Sequence, residues 1–180
     1  MEKPAHKPEF PPILDQGFHT LTPKEVMELC VTAFPDSTIR ADIMAGLTTI
    51  LERIEVLEMV CEIWLDGSFT TQKIEPDDVD FIVFAPMSML EVESPELNDF
   101  IHWMNENEDE PKKLFRCHTQ IVFEGATSEY ANDVISETRA HYRSIFGFSV
   151  ATHEPKGIVV LNLTEAEGVE EAKSDGGSEI

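Results

Sequence analysis

The spacing of apolar residues changes once along the chain, and this change constrains the fold more than any other feature. Up to residue 57, apolar residues recur every three or four positions, as they do in amphipathic helices. At 59–65 and 80–84 they instead form short runs, which are typical of buried strands. The change predicts an α+β or α/β domain in which a small mixed β-sheet is flanked by helices.

Capping and turn residues mark the ends of several elements. Thr22, Pro23 and Glu25 predict a helix start, because threonine caps, proline fits the first turn and glutamate reaches back to the cap. Pro35 ends that helix. The other predicted elements are helices at 38–57, 94–105 and 128–145, strands at 115–123 and 157–163, and an acidic loop at 105–111.

The composition predicts one folded domain with a polar segment at each end. Of its 180 residues, 42% are hydrophobic, which is enough to bury a core. Residues 1–12 are rich in proline and are predicted to form an extended lead. Residues 164–180 contain glutamate and glycine with almost no large apolar side chains, so we expect a disordered, solvated tail. The predicted domain is 13–163.

The charge limits the classes of partner. The chain has 35 acidic and 13 basic residues, a formal net charge of −22, so non-specific binding to nucleic acid or anionic lipid is not expected. Its apolar runs are shorter than the roughly 20 residues of a membrane span, and its N-terminus lacks an apolar signal core. The three cysteines do not form a disulfide framework. We therefore expect a cytoplasmic protein that is not embedded in a membrane.

One segment is acidic throughout. Residues 91–110 contain eight acidic residues and no lysine or arginine. Such a run is usually a solvated face, although a basic partner protein could also bind it.

The connection between the two apolar runs carries the chemistry. Gly67 and Ser68 follow the first run, and Asp78 and Asp80 open the second. Two positions apart on a strand, the aspartates face the same side, where their carboxylates repel each other unless a cation lies between them. Magnesium prefers such oxygen ligands, while glycine and serine allow backbone amides and a hydroxyl to contact phosphate. The pattern predicts a site for a nucleoside triphosphate and Mg²⁺.

Each half of this pattern has an ordinary explanation when taken alone. An isolated Asp-x-Asp is most often a solvated strand end, and an isolated Gly-Ser is most often a turn. The combination of an apolar strand, Gly-Ser, a nine-residue spacer and Asp-x-Asp in a second apolar strand is much more specific.

This combination resembles the signature of the DNA polymerase β-like nucleotidyltransferase superfamily. A closer resemblance is to small bacterial and phage proteins of that superfamily, over residues 13–161. The segments that carry it are 14–22, Arg40, Trp64-Leu65-Asp66-Gly67-Ser68-Phe69, the Pro-x-Asp-x-Asp step at 76–80, the aromatic-x-x-x-Phe-Gly step at 142–147, and Lys-Gly-Ile at 156–158.

The resemblance implies a fold, a reaction and residue roles. Members of the superfamily have a small mixed sheet flanked by helices, and they transfer a nucleoside monophosphate from a triphosphate to an acceptor hydroxyl. By position, Gly67 and Ser68 would hold the triphosphate, and Asp78 and Asp80 would ligate one or two Mg²⁺ ions. The candidates that would neutralise phosphate charge are Lys73, Arg40 and Lys156.

The sequence departs from the superfamily at one position. Members usually add a third carboxylate from a neighbouring strand, but the matching strand at 115–123 contains no acidic residue. His118 stands near the expected position and could act as a base, although it is a poor ligand for magnesium. Glu124 would substitute only with a shifted register. A histidine that simply makes hydrogen bonds in the sheet is the alternative.

Three functions remain open. The first is an active nucleotidyltransferase whose acceptor is a protein side chain, a small molecule or an RNA end, with RNA disfavoured by the charge. The second is a non-catalytic binding or regulatory module such as an antitoxin-like partner, which the missing third carboxylate and the large acidic face favour. The resemblance also implies this function, because small members of the superfamily are often paired with a helical toxin. The third is an acidic globular protein whose Asp-x-Asp is accidental.

Overall fold

The computed structural model of the protein describes residues 9–106, 109–125, 129–149 and 152–163, without the side chains of 129–136. The predicted tail and the first eight residues of the predicted lead lie outside this part. Within the described residues, no helix is long and apolar enough to cross a membrane.

A mixed β-sheet forms the centre of the described structure. Its strands are β1 Gly17–Thr20, β2 Cys61–Asp66, β3 Val79–Pro86, β4 Cys117–Glu124 and β5 Gly157–Leu163. They lie in the order β1-β5-β2-β3-β4. The β1–β5 and β3–β4 pairs are parallel, and β2 is antiparallel to both of its neighbours. The α+β fold with a small mixed sheet is confirmed.

Helices surround this sheet. They are α1 Pro23–Met27, which continues as a π-helical segment Glu28–Thr32, then α2 Arg40–Val56, α3 Pro95–Glu106, α4 Asp109–Phe115 and α5 Glu129–Phe146. The predicted capping box is present, because the Glu25 amide donates to the Thr22 hydroxyl and the Thr22 amide donates to the Glu25 carboxylate.

The two faces of the sheet pack against different helices. Ile63 on β2 and Phe81 on β3 belong to the main core, together with apolar side chains of α2 and α3. Their neighbours in the strand alternation, Trp64 and Ile82, pack with Phe146 of α5 on the opposite face. Asp66 and Asp80 continue that second alternation, so they lie on the face that α5 covers.

Two elements differ from the predictions. Strand β1 was not predicted, because it is short and mostly exposed and forms by pairing with β5. The predicted acidic loop at 105–111 is wrong over most of the described part: α3 continues to Glu106, and α4 begins at Asp109. Acidic residues in its first turn and Pro111 near its start favour this helix.

The described part of the N-terminal segment is bound to the domain, beginning at Glu9, whose carboxylate accepts from the Ser149 hydroxyl. The Gln72 amide donates to the Pro11 carbonyl at 2.8 Å, the Ile13 amide donates to the carbonyl of residue 70 at 3.0 Å, and the Gly157 amide donates to the Leu14 carbonyl at 3.2 Å. The end of the predicted lead is therefore part of the folded domain.

Asn105 of α3 protects the outer edge of the sheet. Its side-chain amide nitrogen donates to the carbonyl of Ile121 on β4 at 3.2 Å, and its oxygen accepts from the Ile121 amide at 2.8 Å. The side chain therefore satisfies both backbone groups of one residue on the outermost strand.

Candidate functional site

The strand register aligns three polar residues at one end of the sheet. Asp66, the last residue of β2, pairs with Asp80 on β3, and Asp80 pairs with His118 on β4. Because β2 runs antiparallel to β3, its C-terminal end lies beside the N-terminal ends of β3 and β4. A carboxylate, a second carboxylate and an imidazole therefore follow one another across neighbouring strands.

A large cavity opens at this end of the sheet. Its volume is about 1370 Å³, which is enough for a nucleotide-sized ligand. The predicted site residues that line it are Gly67, Ser68, Lys73, Asp78, Asp80, His118 and Lys156. Further walls come from Phe10 of the N-terminal segment and from Tyr142 and Ile145 of α5.

Gly67 brings the backbone directly against one of the aspartates. Its φ of 83° lies in a region that favours glycine. A Cβ atom at this position would lie 2.1 Å from Oδ2 of Asp80, so any side chain would displace that carboxylate. Ser68 follows and begins a short helical turn, Ser68–Thr70. The predicted Gly-Ser step therefore lies beside the second aspartate of Asp-x-Asp.

The two aspartates of the motif each contact a basic side chain. Oδ2 of Asp78 lies 2.5 Å from Nζ of Lys112 on α4, and Oδ1 of Asp80 lies 2.9 Å from Nδ1 of His118. The hydrogen bond to Asp78 raises the pKa of Lys112, which therefore stays protonated. Lys112 was not predicted as a site residue, because it belongs to α4, a helix that the sequence analysis did not predict.

Asp66 is a further carboxylate of the site that the predictions did not include. Its side chain is 7% exposed, and Oδ1 lies 2.7 Å from Nζ of Lys156. Burial raises the pKa of Asp66 to about 6, while Lys156 acts in the opposite direction. An aspartate directly before Gly-Ser at the end of an apolar strand was the signal that could have identified it. Lys156, a predicted candidate for neutralising phosphate charge, lines the cavity, and its ammonium group contacts Asp66.

Lys73 also lines the cavity and is paired. Its Nζ lies 2.9 Å from Oδ2 of Asp77, whose side chain is largely exposed. Because the aspartate is open to solvent, water and salt screen its attraction for the lysine. Lys73 therefore remains available to an anion in the cavity.

The prediction that Arg40 neutralises phosphate charge does not fit the structure. Arg40 is 1% exposed. Its guanidinium group donates to the backbone carbonyls of Cys30, Phe69, Thr71 and Lys73, and all three of its nitrogens take part. The residue instead fixes the loop that follows Ser68 to the end of the first helix.

Glu124 is also excluded as a replacement for the third carboxylate. It pairs with Pro86 at the far end of β3, away from Asp80. Both of its oxygens accept from the guanidinium group of Arg139, at 2.6 and 2.7 Å. The residue beside Asp80 on β4 is His118, as expected for the unshifted register.

The three cysteines are core residues. Cys30, Cys61 and Cys117 are buried free thiols, and burial raises the pKa of each to about 12. They lie in the main core rather than in the cavity.

The donor set of the site suits a magnesium ion that is bound together with a substrate. Asp78 and Asp80 offer carboxylate oxygens, and Oδ2 of Asp80 faces the space that a side chain at Gly67 would fill. The described residues contain no group of three or more His, Cys, Asp or Glu side chains that could hold a metal. Magnesium commonly binds through one or two carboxylates and completes its coordination with phosphate oxygens and water.

The comparisons with known proteins give a family and no activity. The chain has no significant match among curated proteins or among solved structures. Residues 8–162 match the model of the family of unknown function DUF6932, and the chain therefore belongs to that family.

Proposed function

We propose that this protein is a nucleotidyltransferase that transfers a nucleoside monophosphate from a nucleoside triphosphate to an acceptor hydroxyl. The hydroxyl oxygen forms a bond to the α-phosphorus, the bond from that phosphorus to the β-phosphate oxygen breaks, and pyrophosphate leaves. The observation that carries the proposal is the contact between Gly67 and Asp80 at the wall of a nucleotide-sized cavity. A phosphate that approaches the backbone at Gly67 is thereby next to the carboxylate that would hold its metal ion.

The residues of the cavity have separate roles in this proposal. The backbone at Gly67 and the hydroxyl of Ser68 bind the triphosphate, and the ammonium groups of Lys73 and Lys156 balance its charge. Asp78 and Asp80 hold magnesium, which neutralises phosphate charge when bound.

His118 takes the place of the third carboxylate in the proposed reaction. Its Nδ1 is oriented by Asp80 at 2.9 Å, which leaves Nε2 to accept the proton of the acceptor hydroxyl. Its side chain is half exposed and lines the cavity, so an acceptor can reach it.

The acceptor in this proposal is a protein side chain or a small molecule, in the cytoplasm. A net charge of −22 disfavours a polyanionic acceptor such as RNA. Three buried free thiols suit a reducing compartment.

Labelled triphosphates test the reaction directly. The protein is incubated with Mg²⁺, a cell extract as the source of acceptors, and each of the four ribonucleoside triphosphates labelled at either the α- or the γ-phosphate. We expect incorporation of the α label alone, lost in Asp78→Asn and Asp80→Asn. The control is Asp109→Asn, an exposed aspartate that pairs with Lys113. Incorporation that persists in both site variants, or incorporation of the γ label, would exclude the proposal.

A second candidate function is a non-catalytic binding module, which is favoured by the pairing of the site carboxylates. Asp66, Asp77, Asp78 and Asp80 each lie within 3 Å of a basic side chain of the same chain. Carboxylates that already contact basic side chains repel one another less, so they depend less on a metal ion. The partner would be a basic protein that binds the exposed acidic residues of the 91–110 segment.

Calorimetry separates the two candidates. A nucleotidyltransferase binds a triphosphate only together with Mg²⁺, and Asp80→Asn weakens that binding. A binding module shows no heat with any triphosphate and instead co-purifies with a basic partner, and reversing the charge of Glu96 and Asp99 on α3 releases that partner.

A further inference from the structure

The ammonium group of Lys112 balances the charge of Asp78, one of the two aspartates proposed to bind the metal ion. Nζ of Lys112 lies 2.5 Å from Oδ2 of Asp78, whose side chain is 12% exposed. The lysine itself is 50% exposed, so it reaches the aspartate from the solvent side.

The position of Lys112 is fixed by the backbone around α4. The Val79 amide donates to the Arg116 carbonyl at 3.0 Å, and Nη1 of Arg116 donates to the Asp77 carbonyl at 3.3 Å. The end of α4 is thereby attached to the same short segment that carries Asp78. The contact between Lys112 and Asp78 is therefore built into the packing of two neighbouring elements.

The charge of the site suits one divalent ion better than two. Asp66, Asp78 and Asp80 supply three negative charges. Lys156 balances that of Asp66 and Lys112 balances that of Asp78, so one negative charge remains. On β4 the strand neighbour of Asp80 is the imidazole of His118 and not another carboxylate. A second divalent ion at Asp78 would lie close to a fixed positive charge, and the two would repel each other.

We propose that Lys112 takes the place of a second metal ion, so that the triphosphate binds with one divalent ion per chain. This inference rests on the proposed function. The single ion would be held by Asp80, whose Oδ2 faces Gly67, and by Oδ1 of Asp78, while the ammonium group of Lys112 remains on Oδ2 of Asp78.

Counting bound manganese tests this inference without measuring activity. Wild-type protein and variants are dialysed to equilibrium against Mn²⁺ and inorganic tripolyphosphate, a probe that does not depend on the identity of the base. Manganese and phosphorus in the protein chamber are then measured by elemental analysis. The charge-removing variant is Lys112→Met, and Lys112→Arg keeps the charge. Lys113→Met is the matched control, because Lys113 pairs with Asp109 on the same helix.

We expect one protein-dependent manganese ion per chain in the wild type, in Lys112→Arg and in Lys113→Met, and two in Lys112→Met. Two ions in the wild type, or one in Lys112→Met with native circular dichroism, would overturn the inference alone, and the labelling experiment would stand. Absence of bound manganese and phosphorus from every variant would overturn both the inference and the proposed function.

Discussion

The imidazole of His118 and the carboxylate of Asp80 face each other across two parallel strands, with Nδ1 and Oδ1 separated by 2.9 Å. The two oxygens of Asp80 therefore have different contacts. Oδ1 orients the imidazole ring, while Oδ2 faces Gly67. A histidine at this position can serve the proposed reaction as a base without acting as a metal ligand.

Replacement of His118 by alanine should slow transfer much more than it weakens triphosphate binding. We expect the rate to fall by about 10²–10⁴-fold, which is the usual contribution of a positioned base, with an unchanged KM for the triphosphate. The measurement is the initial rate of α-label incorporation. His102→Ala is the control, since His102 lies on α3 and pairs with Glu106 outside the cavity. Equal rates for the two variants would exclude a role for His118 in catalysis.

Replacement of Gly67 by alanine should reduce the transfer rate by more than the backbone strain of an alanine at this position explains. The new Cβ would lie 2.1 Å from Oδ2 of Asp80, so we expect a loss of transfer of about 100-fold in addition to about 1–2 kcal/mol of strain. Gly125→Ala is the matched control. Gly125 has a similar φ of 88°, and a Cβ added there would have no described atom within 4 Å. Transfer rates and urea unfolding of both variants separate the clash from the strain.

Replacement of Arg40 by methionine should destabilise the fold and not only the site. The change leaves four backbone carbonyls without their charged donor, and we expect the free energy of unfolding to fall by at least about 3 kcal/mol. Arg53→Met is the control on the same helix, because Arg53 is exposed and lies over the ring of Phe100. There we expect a loss below about 1 kcal/mol. Similar losses for both variants would contradict the structural role of Arg40.

Asp66 should make the free energy of unfolding depend on pH in a specific window. Its pKa is about 6 in the folded protein against an ordinary 3.8, so the folded state binds this proton more tightly than the unfolded state. The resulting stabilisation is full below about pH 4 and is lost as the pH rises through 6, a change of about 3 kcal/mol. This change is measured by urea unfolding of the wild type and Asp66→Asn from pH 4 to 7.5. The difference between their free energies of unfolding isolates the contribution of Asp66 from those of groups that titrate alike in both proteins. A wild type that gains stability relative to Asp66→Asn as the pH rises would contradict the assignment.

The sequence was sufficient to predict the features that depend on local pattern. The capping box at Thr22, the apolar strands and the Gly-Ser and Asp-x-Asp steps follow from the spacing of residues along the chain. The register that places His118 beside Asp80 also agrees with the position expected from the resemblance.

The remaining features depend on contacts between distant segments. Arg40 resembles any surface cation in sequence, and only its burial against four carbonyls reveals its role. The pairing of Lys156 with Asp66 joins residues 90 positions apart, which a single sequence cannot show. Lys112 was missed because tertiary packing stabilises a helix as short as α4.

The two hydrogen bonds between the Asn105 side chain and the backbone of Ile121 have a consequence for self-association. The unpaired outer edge of a sheet is a template on which a second chain can add a strand and begin a fibril. Here the side chain of Asn105 already occupies the donor and the acceptor at the middle of β4. A second chain that adds a strand to this edge would first have to displace the Asn105 amide. The Asn105 side chain therefore opposes aggregation through β4.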